Sequence, residues 1–241
     1  MHTVRMETIL HRAADRGLAN HGWLKSHHSF NFGHFYHPDR KRFGALRVLN
    51  DDTVAPGRGF RMHPHQNMEI VTIMLSGVLA HRDSMGNENS IRAGEIQAMS
   101  AGSGVMHSEY NGSDDEPVAF LQIWILPQHL GIEPRYGQKS FLDSMRVNQT
   151  RLVVSPDGES GSLAVDQETW FHLVSLDAGG AITYATRSTG NGTYIFVIEG
   201  EISASGERLS RRDALGIWDT ESFDLSSPGA AELLLIEVPM I

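Results

Sequence analysis

Residues 71–81 read VTIMLSGVLAH, and residues 193–204 read TYIFVIEGEISA. Each is an apolar run that stops at one glycine, Gly77 or Gly200, and then resumes. Each is followed by a loop and another apolar segment, IRAGEIQAMSAG at 91–102 and LSRRDALGIWDT at 209–220. Aligning the two glycines puts Glu95 and Asp213 at matching strand entries, so one β module is expected to occur twice. Outward from this pair, short β-branched or apolar runs recur at 45–49, 69–75, 95–99, 120–126, 151–154 and 194–198. Turn signals fall between them at Pro56-Gly57, Met85-Gly86-Asn87, Asn111-Gly112 and Asp157-Gly158. Helical periodicity is confined to a short piece near 139–145. The expected fold is all-β, with two tandem barrels comprising residues 1–137 and 138–241, and a connection within the polar stretch 127–149.

The bulk chemistry narrows the functional classes. At 241 residues the chain can bury a sizeable core, and its formal net charge of -9 opposes phosphate binding, so no direct nucleic-acid role is expected. The short run Asp39-Arg40-Lys41-Arg42 reads as a solvated loop. No run approaches the roughly 18 apolar residues of a membrane span. The N-terminal stretch MHTVRMETILHRAADRG carries charges where a signal peptide has its apolar core, so a cytoplasmic protein is expected. Without cysteine, any metal site must draw on imidazole and carboxylate.

Two stretches carry such groups. In RMHPHQNMEI (61–70), His63 and His65 are one residue apart and so share a strand face, with Cα atoms roughly 6.5–7 Å apart. Glu69 has the same parity and joins them if the strand runs unbroken through Gln66-Asn67. In AGSGVMHSEYN (101–111), His107 and Glu109 repeat the spacing. A lone His-x-His is common by chance. Two facing pairs, each approached through glycines (Gly57 and Gly59, then Gly102 and Gly104), point instead to a metal. Phe60, Met62, Met106 and Trp124 read first as barrel core and second as the walls of a planar-ligand pocket. His21, His27, His28, His34 and His37 follow no ligand spacing and are expected in single hydrogen-bonding roles, one or two of them at the cavity mouth. His81 is expected in a loop beside an Arg82–Asp83 ion pair.

The spacing Gly57, His63, His65, Glu69 resembles the first cupin motif, with Gly77 one residue late, and Gly104, His107, Asn111 resembles the end of the second. With NHGWLKSHHSFNFGHFY, FGALRVLNDD, HRDSMGN and LQIWILP, most of residues 17–127 is similar to the pirin family, close to its bacterial members. The resemblance implies a bicupin (double-stranded β-helix, jelly-roll) with one metal in the N-terminal barrel. Its ligands would be His63, His65, His107 and Glu109, with Glu69 structural. It also implies quercetin 2,3-dioxygenase-like activity on a flavonol and O2, with Glu109 doubling as general base. Fe(II) is the first candidate ion, and Cu, Mn, Ni, Co or Zn fit the same donors. The protein is expected to be a monomer, and the alternative function is a metal-binding regulator or redox sensor acting through protein partners. Counting back from Gly200 places Thr186 and Ser188 where the histidines stand, so the second barrel is expected to hold no metal.

Overall fold

The computed structural model describes residues 6–241. It is built of strands, with three single 3-10 turns at Ala13–Asp15, Leu142–Ser144 and Glu159–Gly161, and no α-helix among the described residues. No helix is long and apolar enough to cross a membrane. The expected helical piece near 139–145 is the second of those turns.

Each half pairs a seven-stranded sheet with a four-stranded one. In the first, the large sheet runs in spatial order Arg135–Ser140, Glu95–Ser100, Glu69–Ser76, Val118–Ile125, Leu46–Val54, Leu24–His28, Gly17–Asn20. Its small sheet runs Gly59–His65, Val105–Asn111, Val78–Asp83, Glu88–Arg92. The second half repeats the plan, with Glu7–His11, Ala214–Trp218, Asn191–Glu199, Ala231–Pro239, Trp170–Leu176, Gln149–Ser155 and Leu163–Ala164 in its large sheet. Ala181–Ala185, Ser222–Ser226, Glu201–Ala204 and Glu207–Ser210 form its small one.

The glycine-centred repeat has a steric cause. Gly77 and Gly200 both adopt positive φ, at 76° and 84°. A Cβ on Gly77 would lie 3.0 Å from the Pro117 carbonyl oxygen, and one on Gly200 would lie 2.3 Å from that of Ala230. Both glycines therefore sit under the entry to the same strand of their barrel, Val118–Ile125 or Ala231–Pro239. The matched acids also act alike. Glu95 accepts the Arg92 N–H at 2.7 Å, and Asp213 accepts the Ser210 N–H at 3.1 Å, each closing a hairpin three residues upstream.

The large sheets pack back to back. Val71, Ile73, Leu121 and Ile123 of one meet Phe171, Phe196, Leu234 and Ile236 of the other in a single buried cluster. Their central strands are thus covered on both faces, which is why Glu69–Ser76 and Asn191–Glu199 read as continuous apolar runs rather than as alternation. The connection is less simple than a cut near Gly137. Arg135–Ser140 stays paired to Glu95–Ser100 in the first barrel, while Glu7–His11 pairs with Ala214–Trp218 and edges the second. Long-range pairing of this kind leaves no local mark in sequence. It protects an edge that would otherwise stand open.

Candidate metal centre

His63 and His65 lie on Gly59–His65, and His107 and Glu109 on its antiparallel neighbour Val105–Asn111, with His107 directly opposite His63. The register slips between His107 and Glu109, because Glu109 faces Phe60 rather than Arg61. This bulge keeps both His107 and Glu109 turned inward while placing an extra residue on the facing strand. It also brings the Arg61 carbonyl to 2.7 Å from His63 Nδ1, which donates to it and leaves Nε2 as the free lone pair. The three imidazoles form a triangle, with ring centroids 4.4 Å (His63–His107), 4.8 Å (His65–His107) and 4.9 Å (His63–His65) apart. Their ligand atoms all lie within 4.8 Å of one another.

Burial makes His65 and His107 neutral donors. Desolvation, then the neighbouring His63, pushes the His65 pKa down to about 4, and burial holds His107 lower still. Neither ring nitrogen of His107 has a hydrogen-bond partner, although the residue is buried. A buried imidazole with two orphaned nitrogens is costly unless something else accepts a lone pair. A divalent cation among the three imidazoles is that acceptor, so the donor set fits a metal. Glu109 is buried, and desolvation pushes its pKa up to about 7. The Gln122 amide donates to both of its oxygens, at 3.2 and 3.3 Å. Its carboxylate clusters with His107 and His81 rather than with the full histidine triad.

His81 is not in a loop but inside the strand Val78–Asp83, and its partner is Asp83 rather than an Arg82–Asp83 pair. Nε2 meets Asp83 Oδ2 at 3.0 Å, and Nδ1 meets the Gln97 amide at 3.0 Å. Both nitrogens are occupied, so His81 buttresses the His107 ring, 5.4 Å away, rather than offering it a competing ligand. Asp83 is itself fixed by the Met85 and Asn87 N–H groups and the Asn87 amide, closing the turn that the Met85-Gly86-Asn87 signal marks. Gln122 and Gln97 escaped sequence reasoning. The signal for Gln122 was a lone polar residue in the apolar run FLQIWIL.

Glu69 faces away from this site. The strand breaks at Asn67, whose φ is 50°, and resumes in the large sheet with new parity. There Glu69 shares a face with Val71 and Ile73, which pack between the barrels, whereas Thr72 on the other face bonds Gln122. Glu69 accepts the Ser100 hydroxyl at 2.6 Å, and desolvation pushes its pKa up to about 7. Between pH 4.5 and 7 the folded chain holds this proton and the unfolded chain has released it, so the group's stability contribution falls as pH rises through that window. Glu69→Gln is expected to retain full metal stoichiometry. In urea melts of the metal-free protein, its stability relative to wild type should rise by about 1.4 kcal/mol per pH unit across that window. Loss of the metal in this variant would return Glu69 to the ligand set.

The triad opens on a cavity of about 970 Å³ walled by Leu18, Trp23, Phe32, Phe35, Phe60 and Trp124. Phe60 and Trp124 are wall residues as expected, but Met62 and Met106 point outward, 46% and 39% exposed. Each is one residue from an inward histidine, and strand alternation sends it to the opposite face. His21, His28 and His34 also line the cavity, while His37 Nδ1 accepts the Asp39 N–H at 3.2 Å.

Strand pairing identifies the corresponding positions of the second barrel better than counting does. Tyr184 stands opposite Phe223 as His63 stands opposite His107, so two aromatic rings replace those histidines, while Thr186, whose N–H bonds the Glu221 carbonyl, takes the place of His65 rather than of His63, and Ser188 takes neither. Beside them, fully buried Glu237 accepts the Tyr184 hydroxyl at 2.8 Å. It also accepts the Arg187 and Ser188 N–H groups and the Asn191 amide, each at 3.0 Å. The equivalent residue in the first barrel is Trp124, because Glu237 pairs with Thr193 as Trp124 pairs with Ile70. A carboxylate clasped by protein donors therefore fills this barrel.

Comparison with known proteins agrees with this architecture. Residues 11–125 match the Pirin family and residues 152–238 the Quercetinase C-terminal cupin domain. The chain is 42% identical to a quercetin 2,3-dioxygenase of Escherichia coli (strain K12), over 96% of this chain and 99% of that one. It is 38% identical to a pirin-like protein of Caulobacter vibrioides, over 92% and 95%. The crystal structure of YhhW from Escherichia coli superposes with a TM-score of 0.93 at 41% identity, covering 98% of this chain and 99% of that one. The structure of bacterial pirin YhhW in complex with nickel(II) gives 0.92 at 40%, covering 98% and 100%.

Proposed function

Since the chain belongs to the pirin family, we propose that it is a metal-dependent dioxygenase that opens flavonols as a quercetin 2,3-dioxygenase does, with His63, His65, His107 and Glu109 as its donor set. The observation that carries this reading is His107, whose two nitrogens have no partner and whose ring lies 4.4 and 4.8 Å from those of His63 and His65, on the wall of a cavity large enough for a three-ring ligand. Fe(II) is the first candidate ion, and nickel gains weight from the relative's nickel complex. When bound, such an ion supplies Lewis acidity and, if redox-active, electron transfer toward dioxygen.

The chain's own residues do the rest. Glu109 is the buried carboxylate placed to take the proton of the flavonol 3-hydroxyl, and the Gln122 amide holds it in a fixed orientation. Phe60 and Trp124 flank the histidines, the Trp124 ring 4.9 Å from His65, and present flat apolar surface to a planar ligand while excluding water. The overall reaction adds both atoms of O2 to the flavonol and releases carbon monoxide.

The test begins with elemental analysis of protein purified without a metal-affinity tag, followed by quercetin consumption and carbon monoxide release with the metal found. Glu109→Gln is expected to lower kcat at least 10²-fold, in line with loss of a general base. No near-stoichiometric transition metal, and none that restores turnover, would overturn the reading.

A further inference from the structure

One wall of the cavity is unlike the rest. Strands Leu24–His28 and Leu46–Val54 run antiparallel in register, with His28 opposite Asn50 and Ser26 opposite Asp52, and all four residues line the cavity. His28, Asn50 and Asp52 are 3%, 3% and 4% exposed. His28 Nδ1, Asn50 Oδ1 and Asp52 Oδ1 have no hydrogen-bond partner. The other His28 nitrogen is directed at the Phe32 backbone, which leaves Nδ1 as an acceptor. His28 Nδ1 and Asn50 Oδ1 are therefore acceptors, as Asp52 Oδ1 is when ionised, and the three lie on two adjacent strands about 4.8 Å apart. Native interiors rarely leave such groups unpaired, so the patch calls for a ligand that brings donors.

The position of the patch says which part of the ligand arrives there. Asn50 pairs with Gln122, the residue that holds Glu109, so Asn50 and Asp52 lie one strand beyond Gln122 and His28 two strands beyond it, about 5 and 10 Å away. Neither His/Asp/Glu cluster with metal-ligand spacing among the described residues includes His28 or Asp52, and the surrounding walls are aromatic. The occupant is thus a hydroxylated ring rather than a second ion.

We infer that His28, Asn50 and Asp52 form a hydroxyl-recognition subsite, selecting aromatic substrates whose distal ring carries two neighbouring hydroxyl donors. The inference rests on the flavonol reading and narrows it, from flavonols at large to those with a vicinal dihydroxyphenyl ring. Ser26 bonds one oxygen of the Asp52 carboxyl and leaves Oδ1 without a partner, and a substrate hydroxyl supplies the hydrogen bond that this buried oxygen lacks.

The test is equilibrium binding to zinc-loaded full-length protein without oxygen, followed by quenching of tryptophan fluorescence. The two probes are quercetin, which has the vicinal pair, and galangin, whose distal ring has none. Wild type is expected to bind quercetin about tenfold more tightly than galangin, one good buried hydrogen bond's worth of selectivity. Asn50→Leu and His28→Phe each remove an acceptor at similar volume, and each should cut that ratio at least threefold. Two variants on different strands guard against a failure of one to fold. Equal binding of both ligands by wild type, or an unchanged ratio in folded variants, overturns the subsite. Selective binding by the zinc form, with no turnover under O2 by the protein carrying its own metal or any other transition metal supplied, leaves the subsite standing and sinks the oxygenase reading. Turnover without selectivity does the reverse, and absence of binding to either flavonol removes both.

Discussion

His107→Ala is expected to abolish metal retention and, with it, the stabilisation that metal confers. Of the three imidazoles, His107 is the buried one, and neither of its nitrogens is committed elsewhere. Loss of an outer partner of a ligand typically costs 10–100-fold in metal affinity. Loss of the central ligand itself should exceed that and leave no stoichiometric metal after gel filtration. Wild-type protein with nickel at 100 times its Kd should gain about 2.7 kcal/mol against unfolding. The variant should gain nothing measurable. The metal-free forms should differ much less, because deleting an imidazole with two unpaired nitrogens removes a desolvation cost along with the packing it provided. Thermal melts of both proteins with and without nickel check this. An equal nickel shift in the two would show that the cation binds elsewhere.

Glu237→Leu should be the most destabilising substitution in the second barrel, with no effect on metal content. The Glu237 side chain meets the Tyr184 hydroxyl, two backbone N–H groups and the Asn191 amide, and replacing it leaves the buried Tyr184 and Asn191 donors unpaired and frees the Arg187 and Ser188 N–H groups at a part-buried edge. Breaking a buried charged network by removing one member costs on the order of 3–5 kcal/mol. Its effect should spread through the sheet, since Glu237 lies on Ala231–Pro239, which is flanked on both sides by strands of that sheet. Denaturant melts measure the loss, and metal analysis of the folded fraction shows whether the first barrel is spared. A loss below about 1 kcal/mol would mean that water replaces the carboxylate. Tyr184→Phe removes one donor and keeps the ring, so it should cost a fraction of that amount.

The sequence by itself determined the β class, the duplication and the three histidines. These rest on local signals: runs of apolar residues closed by turn residues, a glycine that must adopt positive φ under a neighbouring strand, and the two-residue period that turns His63 and His65 the same way. The same period, applied strictly, would have sent Met62 and Met106 outward from the start, because each neighbours an inward histidine.

Only the tertiary structure decided the rest, because each remaining feature depends on which strand lies beside which. The break at Asn67 moves Glu69 into another sheet, so parity counted through the turn no longer describes a shared face. The bulge between His107 and Glu109 supplies the Arg61 carbonyl that orients His63. Gln122 meets Glu109, and Asn50 meets His28, only through pairing between strands far apart in the chain. The second barrel's substitutes for the histidines, Tyr184 and Phe223, emerge from register and not from distance to Gly200. Strand propensity and turn chemistry are properties of a few consecutive residues and can be read from them. Register and face are set by burial against partners dozens of residues away, and those partners are fixed only when the sheets pack.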